Sequence, residues 1–158
     1  MRLNPPRVPL KRDAGMTLRL RALNILARRE HSRAELARKL GEYGEADEIE
    51  ALLDRLEQEN LLSNSRYVEM LAHARAGKHG SLRLKADLRE KGVSASEMED
   101  ALENAQAQDL DAARAVWQKK FGALSSDASG RARQYRFLAS RGFPTEVIRR
   151  VLGGSDDE

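Results

Sequence analysis

Three histidines, His31, His73 and His79, are the first side chains to test for chemistry, because imidazole is the group that titrates near neutrality and binds zinc most readily. None stands four residues from another with a partner carboxylate, as a metal-binding helix requires. They read as helix-end or loop residues. Lys78 lies between Gly77 and Gly80, but no strand precedes it and no Ser or Thr follows where a phosphate loop places one. Glu45, Asp47, Glu48 and Glu50 cluster at the start of an apolar-periodic segment, where the helix macrodipole favours acids without any catalytic role. Cysteine is absent, which removes disulfides, thiolate metal sites and thiol catalysis together. The residues predict no enzyme, no metal and no cofactor.

The basic residues form a pattern instead. Arg33, Arg38 and Lys39 make one group; Arg83, Lys85, Arg89 and Lys91, with Lys78 just before them, make a second; Arg131, Arg133, Arg136 and Arg141 make a third. Any one group is explained by a solvated helix face with charge pairing one turn away. Threefold recurrence is not, and it predicts a basic surface for phosphates or for an acidic protein groove. No Asn or Gln partners are placed to read bases, so strong sequence specificity is not expected. Tyr67, Tyr135 and Phe137 are of the type that stacks on bases, but their helical spacing assigns them to packing. Trp117, with Leu110, Val116 and Phe121, falls on a buried helix face by the same reasoning.

These groups recur because the chain repeats itself. The run from Leu88 to Leu102 aligns without a gap on the run from Leu138 to Leu152. Leu88 falls on Leu138, Gly92 on Gly142, Val93 on Phe143, Met98 on Ile148, Ala101 on Val151 and Leu102 on Leu152. A copy from Leu40 fits with one residue deleted, pairing Gly44, Ile49 and Leu53 with Gly92, Met98 and Leu102. A period of about fifty residues marks small helical units that bury their apolar faces against one another. Each unit is near the lower size limit for independent folding, so neighbours are expected to share contacts.

Charge alternates in step with the repeat. Residues 1–40 carry eleven Lys or Arg against three Asp or Glu, a balance of +8; residues 41–66 carry −6, 67–92 +3, 93–127 −4 and 128–158 +2, which together give the chain's +3. The middle helices are therefore basic, and the third helices of the first two units acidic. Aromatic residues are only 4% of the chain while 34% is charged, which predicts an all-α protein with aliphatic cores. No apolar run reaches spanning length and no signal-like core opens the chain, so a cytoplasmic location is expected.

The expected organisation is a basic, Pro-rich flexible arm (1–15), three three-helix units (16–62, 63–108 and 109–153) and an acidic tail (154–158). In the first unit, helices run from Thr17 to Arg29, from Ser32 to Leu40 behind an S-x-x-E capping box, and through Ile49, Leu52, Leu53 and Leu56 to a turn at Asn60. In the second they run Tyr67–Arg75, Ser81–Lys91 stopped by Gly92 as a left-handed cap, and Met98–Ala105 after a Ser94/Glu97 capping box. In the third they run Leu110–Phe121, then after a break at Ser125–Gly130 to Gly142, then onward from Pro144. That makes nine helices.

The segments Ser32–Leu40, Leu53–Arg75, Lys78–Gly92 and Arg136–Leu152, in this order and spacing, resemble the RecX family of bacterial regulators of the RecA recombinase, over nearly the whole chain from Met16. The resemblance implies a tandem, elongated array of three helix-turn-helix-like repeats. It also implies a partner, the RecA filament on single-stranded DNA, whose growth, ATP hydrolysis and strand exchange the family restrains, with single-stranded DNA and weakly specific duplex DNA as further contacts. The family commonly opens its fourth helix with an acidic residue, where this chain has Ser63, Asn64 and Ser65, which retain capping ability. No heptad seam suggests a coiled-coil dimer, and a monomer is expected. The rival readings are a stand-alone helix-turn-helix DNA-binding module and a helical scaffold with no nucleic-acid role.

Overall fold

The computed structural model describes residues 16–153, so the expected flexible arm (1–15) and acidic tail (154–158) lie outside the described residues. Among the described residues there are eight helices and no strand: α1 (Leu18–Arg28), α2 (Arg33–Leu40), α3 (Ala46–Gln58), α4 (Asn64–Arg75), α5 (Ser81–Glu90), α6 (Ala95–Lys120), α7 (Ala128–Ser140) and α8 (Thr145–Gly153). No helix is long and apolar enough to cross a membrane.

Helix starts follow local chemistry. Thr17 Oγ accepts from the Leu20 amide, and both Ser32 and Ser94 form complete capping boxes with Glu35 and Glu97, each satisfying two otherwise orphaned amides. Asp127 caps α7 by accepting from the Gly130 amide at 2.6 Å. Gly130 therefore lies in the first turn of α7, and the expected Ser/Gly break ends at Asp127 rather than running through Gly130.

Eight helices stand where nine were expected, because Met98–Ala105 and Leu110–Phe121 are parts of one 26-residue helix, α6. The residues between them, Gln106, Ala107, Gln108 and Asp109, include neither glycine nor proline, and Ala and Gln are good helix formers. Nothing in that stretch stops the helix.

The chain forms two compact units, one ending at Asn64 and one beginning at Ser65. The first packs α1, α2 and α3 around Ala22, Leu36, Leu40, Leu53 and Leu56, all fully buried. The second holds two cores: Tyr67, Val68, Leu84, Leu88, Val93 and Met98, then Ala113, Leu138, Phe143 and Ile148. The repeat alignment is visible here, since Leu40, Leu88 and Leu138 are each fully buried, as nearly are Ile49, Met98 and Ile148.

The aligned glycines serve two different purposes. Gly92 and Gly142 take positive φ (75° and 88°), but Gly44 does not. A Cβ on Gly44 would stand 3.0 Å from Leu18 Cδ2, so this glycine lets α1 approach closely rather than turning the chain.

Within the second unit, α5 begins against two later elements. The Gly80 amide donates to the Arg141 carbonyl at 2.8 Å and the Leu82 amide to the Gly142 carbonyl at 3.0 Å. Buried Asp109, midway along α6, accepts from the Ser81 amide at 2.9 Å and from its hydroxyl at 2.5 Å. Unbroken α6 thus carries the carboxylate that holds the start of α5, and the two repeats share one framework.

Candidate functional site

The twelve basic residues predicted from sequence separate into engaged and available groups. Arg33 is engaged: its guanidinium reaches Glu50 at 2.6 Å, Asp54 at 2.8 Å and Glu57 at 2.5 Å, all on α3. Burial opposes its charge, but the hydrogen bonds it donates to Glu57, Glu50 and Asp54 outweigh that and raise its pKa. The acidic α3 is therefore in large part the counter-charge of one arginine, and Arg33 offers little free charge to a partner. Arg38 is exposed on the same helix without an ion-pair partner among the described residues. Lys39 places Nζ 2.8 Å from His31 Nε2.

His31 is itself buried, at 2% exposure. Burial lowers its pKa, and the neighbouring charges of Arg29 and Lys39 add to that against a bond to the Arg29 backbone and the charge of Glu35. An ammonium can only donate, so Nε2 is the acceptor and Nδ1–H donates to the Arg29 carbonyl at 3.0 Å. Arg29 pairs with Glu35 through both Nη atoms, and the Arg21 guanidinium stacks 3.7 Å over the Tyr43 ring. His31, Lys39, Arg29, Arg21 and Tyr43, with Arg28, line a groove of about 680 Å³ in the first unit. Its lining carries no carboxylate.

On α5, Arg83 lies 3.7 Å from Asp87, which Arg75 also holds at 2.9 Å. Lys85 and Arg89 share a shallow groove with Glu99 and Glu103 of α6, so their charge is offset locally. Lys91 caps the end of α5. His79 sits among Arg75, Arg83 and Arg141; burial, then those three charges, lower its pKa. On α7, Arg131 donates to the Ser125 and Ser126 carbonyls, while Arg133 and Arg136 are exposed.

In the second unit, cations from separate elements converge without a carboxylate in the lining of a cup of about 330 Å³. It is lined by Lys78 after α4, Lys119 and Lys120 at the end of α6, and Arg141 at the end of α7, around Phe137 and Val116. The Arg141 guanidinium and the Lys120 ammonium stand over the Phe137 ring at 5.1 Å and 5.7 Å. Phe121 meets the same ring edge-on at 5.4 Å between centroids. The ring is fixed by its aromatic neighbour, and it in turn fixes two cations through its π face.

Lys78 and Arg141, both predicted from sequence as partner contacts, are thus brought together in one recess. Lys119 and Lys120 escape sequence reasoning that looks for cations on middle helices, since they close a first helix. Their signal is a Lys–Lys pair directly before Phe121. Trp117 is part-buried as expected, its indole N–H donating to Gln134 Oε1 at 3.1 Å, whose amide donates onward to the Ala123 carbonyl. Among the described residues, no three His, Asp or Glu side chains group as metal ligands would.

Family models match the chain in three consecutive stretches, described as the first, second and third three-helix domains of RecX, over residues 19–56, 63–102 and 106–152. A protein of Leptothrix cholodnii named regulatory protein RecX is 47% identical, over 90% of this chain and 92% of its own length. One of the same name from Chromobacterium violaceum is 45% identical, over 91% and 95%. The crystal structure of RecX from Lactobacillus salivarius superposes with a TM-score of 0.70 at 20% identity, over 87% of this chain and 93% of that one.

Proposed function

The chain belongs to the RecX family, and from that premise we propose that it is a non-enzymatic, monomeric and cytoplasmic regulator that binds the RecA filament on single-stranded DNA. Bound there, it inhibits filament assembly, ATP hydrolysis and strand exchange. The observation that carries this reading is that all three family domains occur in order along the chain, with relatives named as regulatory proteins over nine-tenths of both lengths.

The chemistry of the two units is consistent with that role. Each presents a cationic recess without a carboxylate in its lining, suited to phosphates or to an acidic protein surface. Selective binding to one filament state draws the recombinase toward that state, and this linkage needs no bond-making by the regulator. Of the twelve predicted basic residues, Arg38, Lys39, Lys78, Arg133, Arg136 and Arg141 are the strongest partner contacts. Arg83, Lys85, Arg89, Lys91 and Arg131 contribute through the surrounding field, and Arg33 acts by holding α2 to α3.

Co-sedimentation with RecA filaments assembled on single-stranded DNA tests the reading. Saturable recovery with filaments, and not with RecA alone, is expected. Recovery with naked duplex at a preferred sequence and not with filaments would instead favour the DNA-module reading.

A further inference from the structure

A cavity of about 350 Å³ in the second unit has the opposite sign to the two cationic recesses. It lies between α4, the start of α5 and α6, at the small end of the range for ligand sites, about 300–1,000 Å³. Ala72 of α4, Leu84 of α5 and Ala101, Ala105 and Ala112 of α6 give it an apolar wall. Three carboxylates, Glu69, Asp100 and Asp109, join that wall, and none forms an ion pair among the described residues. Helix dipoles do not explain them. Glu69 and Asp100 stand beyond the first turns of α4 and α6, and Asp109 stands midway along α6, whereas the dipole acts within the terminal turn. The basic residues of the lining do not neutralise them either. Arg75 is held by Asp87 at 2.9 Å, and His79, its pKa lowered by burial and then by Arg75, Arg83 and Arg141, is uncharged at pH 7.

Asp109 carries the argument furthest. It is 2% exposed, and the donors it meets, the Ser81 amide and hydroxyl, are both neutral. Burial pushes its pKa up, against those two bonds, and no neighbouring cation contributes. Buried charges are ordinarily paired. Each Asp109 oxygen accepts one bond from Ser81 and keeps a second acceptor position. An arginine side chain fits these features together: its stem lies along apolar surface, and its planar guanidinium meets a carboxylate through two parallel N–H bonds, which a lysine ammonium cannot match. A metal ion does not fit, since no three His, Asp or Glu side chains group as its ligands among the described residues. Arg75 Nε and His79 Nδ1, on residues of the same lining, are buried without a hydrogen-bond partner. A peptide brings a backbone carbonyl for a donor there, and a polyamine brings none.

We infer that the cavity between α4 and α6 receives an arginine side chain of a partner protein, with its guanidinium on Asp109 and its approach guided by the exposed Glu69 and Asp100. This goes beyond the filament-binding reading, whose contacts are cationic, and does not rest on it.

The test uses the full chain, labelled with nitrogen-15 and titrated without RecA with a blocked Gly-Arg-Gly peptide, its Gly-Lys-Gly counterpart and spermidine. The chain's net charge of +3 opposes indiscriminate attraction of all three probes. The expected result is a saturable shift of the Ser81 amide resonance with the arginine peptide, at an affinity at least tenfold above that for the lysine peptide or spermidine. Glu69→Gln/Asp100→Asn, which leaves the Ser81–Asp109 bonds in place, is compared with Glu99→Gln/Glu103→Gln, which removes the same charge from α6 outside the cavity. The cavity variant is expected to bind the arginine peptide at least tenfold more weakly and the control variant less than threefold. Asp109→Asn is expected to abolish the preference for arginine over lysine, and unchanged amide spectra away from α5 and α6 show that it is folded. No saturable shift in the wild type would overturn the proposal and leave the cavity as a place for water alone. Equal affinity for spermidine, equal losses in the two double variants, or an arginine preference that survives Asp109→Asn would overturn it as well. Self-association of the free chain that the cavity variant abolishes would assign the cavity to a second copy and overturn the assignment to a partner. A RecA assay separates this proposal from the filament reading, because either result there leaves the peptide titration unchanged.

Discussion

The Ser81 hydroxyl donates to Asp109 Oδ2 at 2.5 Å, and the Ser81 amide donates to Oδ1 of the same carboxylate at 2.9 Å. The pair is nearly sealed from water, at 3% and 2% exposure. It joins the first turn of α5 to the middle of α6, so the helix that runs through both repeats also fixes the loop carrying Lys78.

Removing the carboxylate should therefore loosen that start. Asp109→Ala leaves a buried amide and hydroxyl without an acceptor and should cost about 1–3 kcal/mol; Asp109→Asn, which keeps an acceptor for the amide, should cost less. Burial raises the Asp109 pKa against the opposing hydrogen bonds of Ser81. Its ionised form is thus less favoured in the fold than in the open chain. The associated stability is full below about pH 3.8 and falls as pH rises through the higher folded value. Urea melts at pH 7 check the order of the variants; equal stability of wild type and Asp109→Ala would contradict it.

Gly80 and Gly142 should be intolerant of even one methyl group. A Cβ on Gly80 would lie 2.3 Å from the Gly142 carbonyl oxygen, and one on Gly142 would lie 2.3 Å from Arg83 Cβ at a φ of +88°. Gly122 shares the positive φ, at +74°, but its Cβ would meet nothing nearer than 3.6 Å. Gly122→Ala should cost about 1 kcal/mol, the left-handed penalty alone, and Gly80→Ala about 1–3 kcal/mol from overpacking. Thermal melts rank them; a Gly80→Ala variant no less stable than Gly122→Ala would show that the close approach relaxes freely.

Much of this frame was legible in the sequence. Leu40, Leu88 and Leu138 align because each closes a middle helix over its core, and the capping boxes at Ser32 and Ser94 announce helix starts through purely local bonds. The fusion of α6 was not legible, because the repeat itself suggests a boundary at residues 106–109 that no glycine or proline enforces. Nor was the purpose of Gly44, which depends on where Leu18 packs. Among the basic residues, sequence periodicity shows which helix carries a charge but not what faces it. Arg33 and Arg38 look alike on paper, yet one is held by three carboxylates and the other has no ion pair among the described residues. Lys119 and Lys120 join Lys78 and Arg141 only through the folding of elements distant in the chain. The alignment also could not show that Asn64 Oδ1 would accept from the Arg33 amide at 2.8 Å, within the first unit.

The contrast between those two arginines is itself testable. Arg33→Ala removes the shared partner of Glu50, Asp54 and Glu57 and leaves three acids on one helix face. It should cost about 1 kcal/mol, more at low salt than at high, because the carboxylates are largely exposed. Arg38→Ala should change stability by less than about 0.5 kcal/mol. Denaturation at two ionic strengths decides; equal effects would mean that the network contributes nothing.

Acid should weaken the fold before its carboxylates titrate. The pKa of His31 is lowered by burial first, with Arg29 and Lys39 adding to the effect, and that of His79 by burial and then Arg75, Arg83 and Arg141. A histidine with a depressed folded pKa contributes stability that is full above about pH 6.5 and is lost as pH falls through its lower folded value. His31→Asn keeps a donor for the Arg29 carbonyl but cannot titrate. Between pH 7.5 and 5.5 its stability should vary less with pH than that of the wild type, and His31→Asn/His79→Asn less again. An unchanged slope in the double variant would assign the acid sensitivity elsewhere.

The central claim is regulation of a RecA recombinase, and the most direct measurement is RecA's ATP hydrolysis on single-stranded DNA as the full chain is titrated in at moderate salt, beside the same titration onto preformed filaments. The account predicts a saturable fall in hydrolysis; onset far below one chain per RecA would indicate blocked filament growth, and onset near equivalence a coated groove or sequestered monomers. Unchanged hydrolysis at excess of a folded chain would contradict the account.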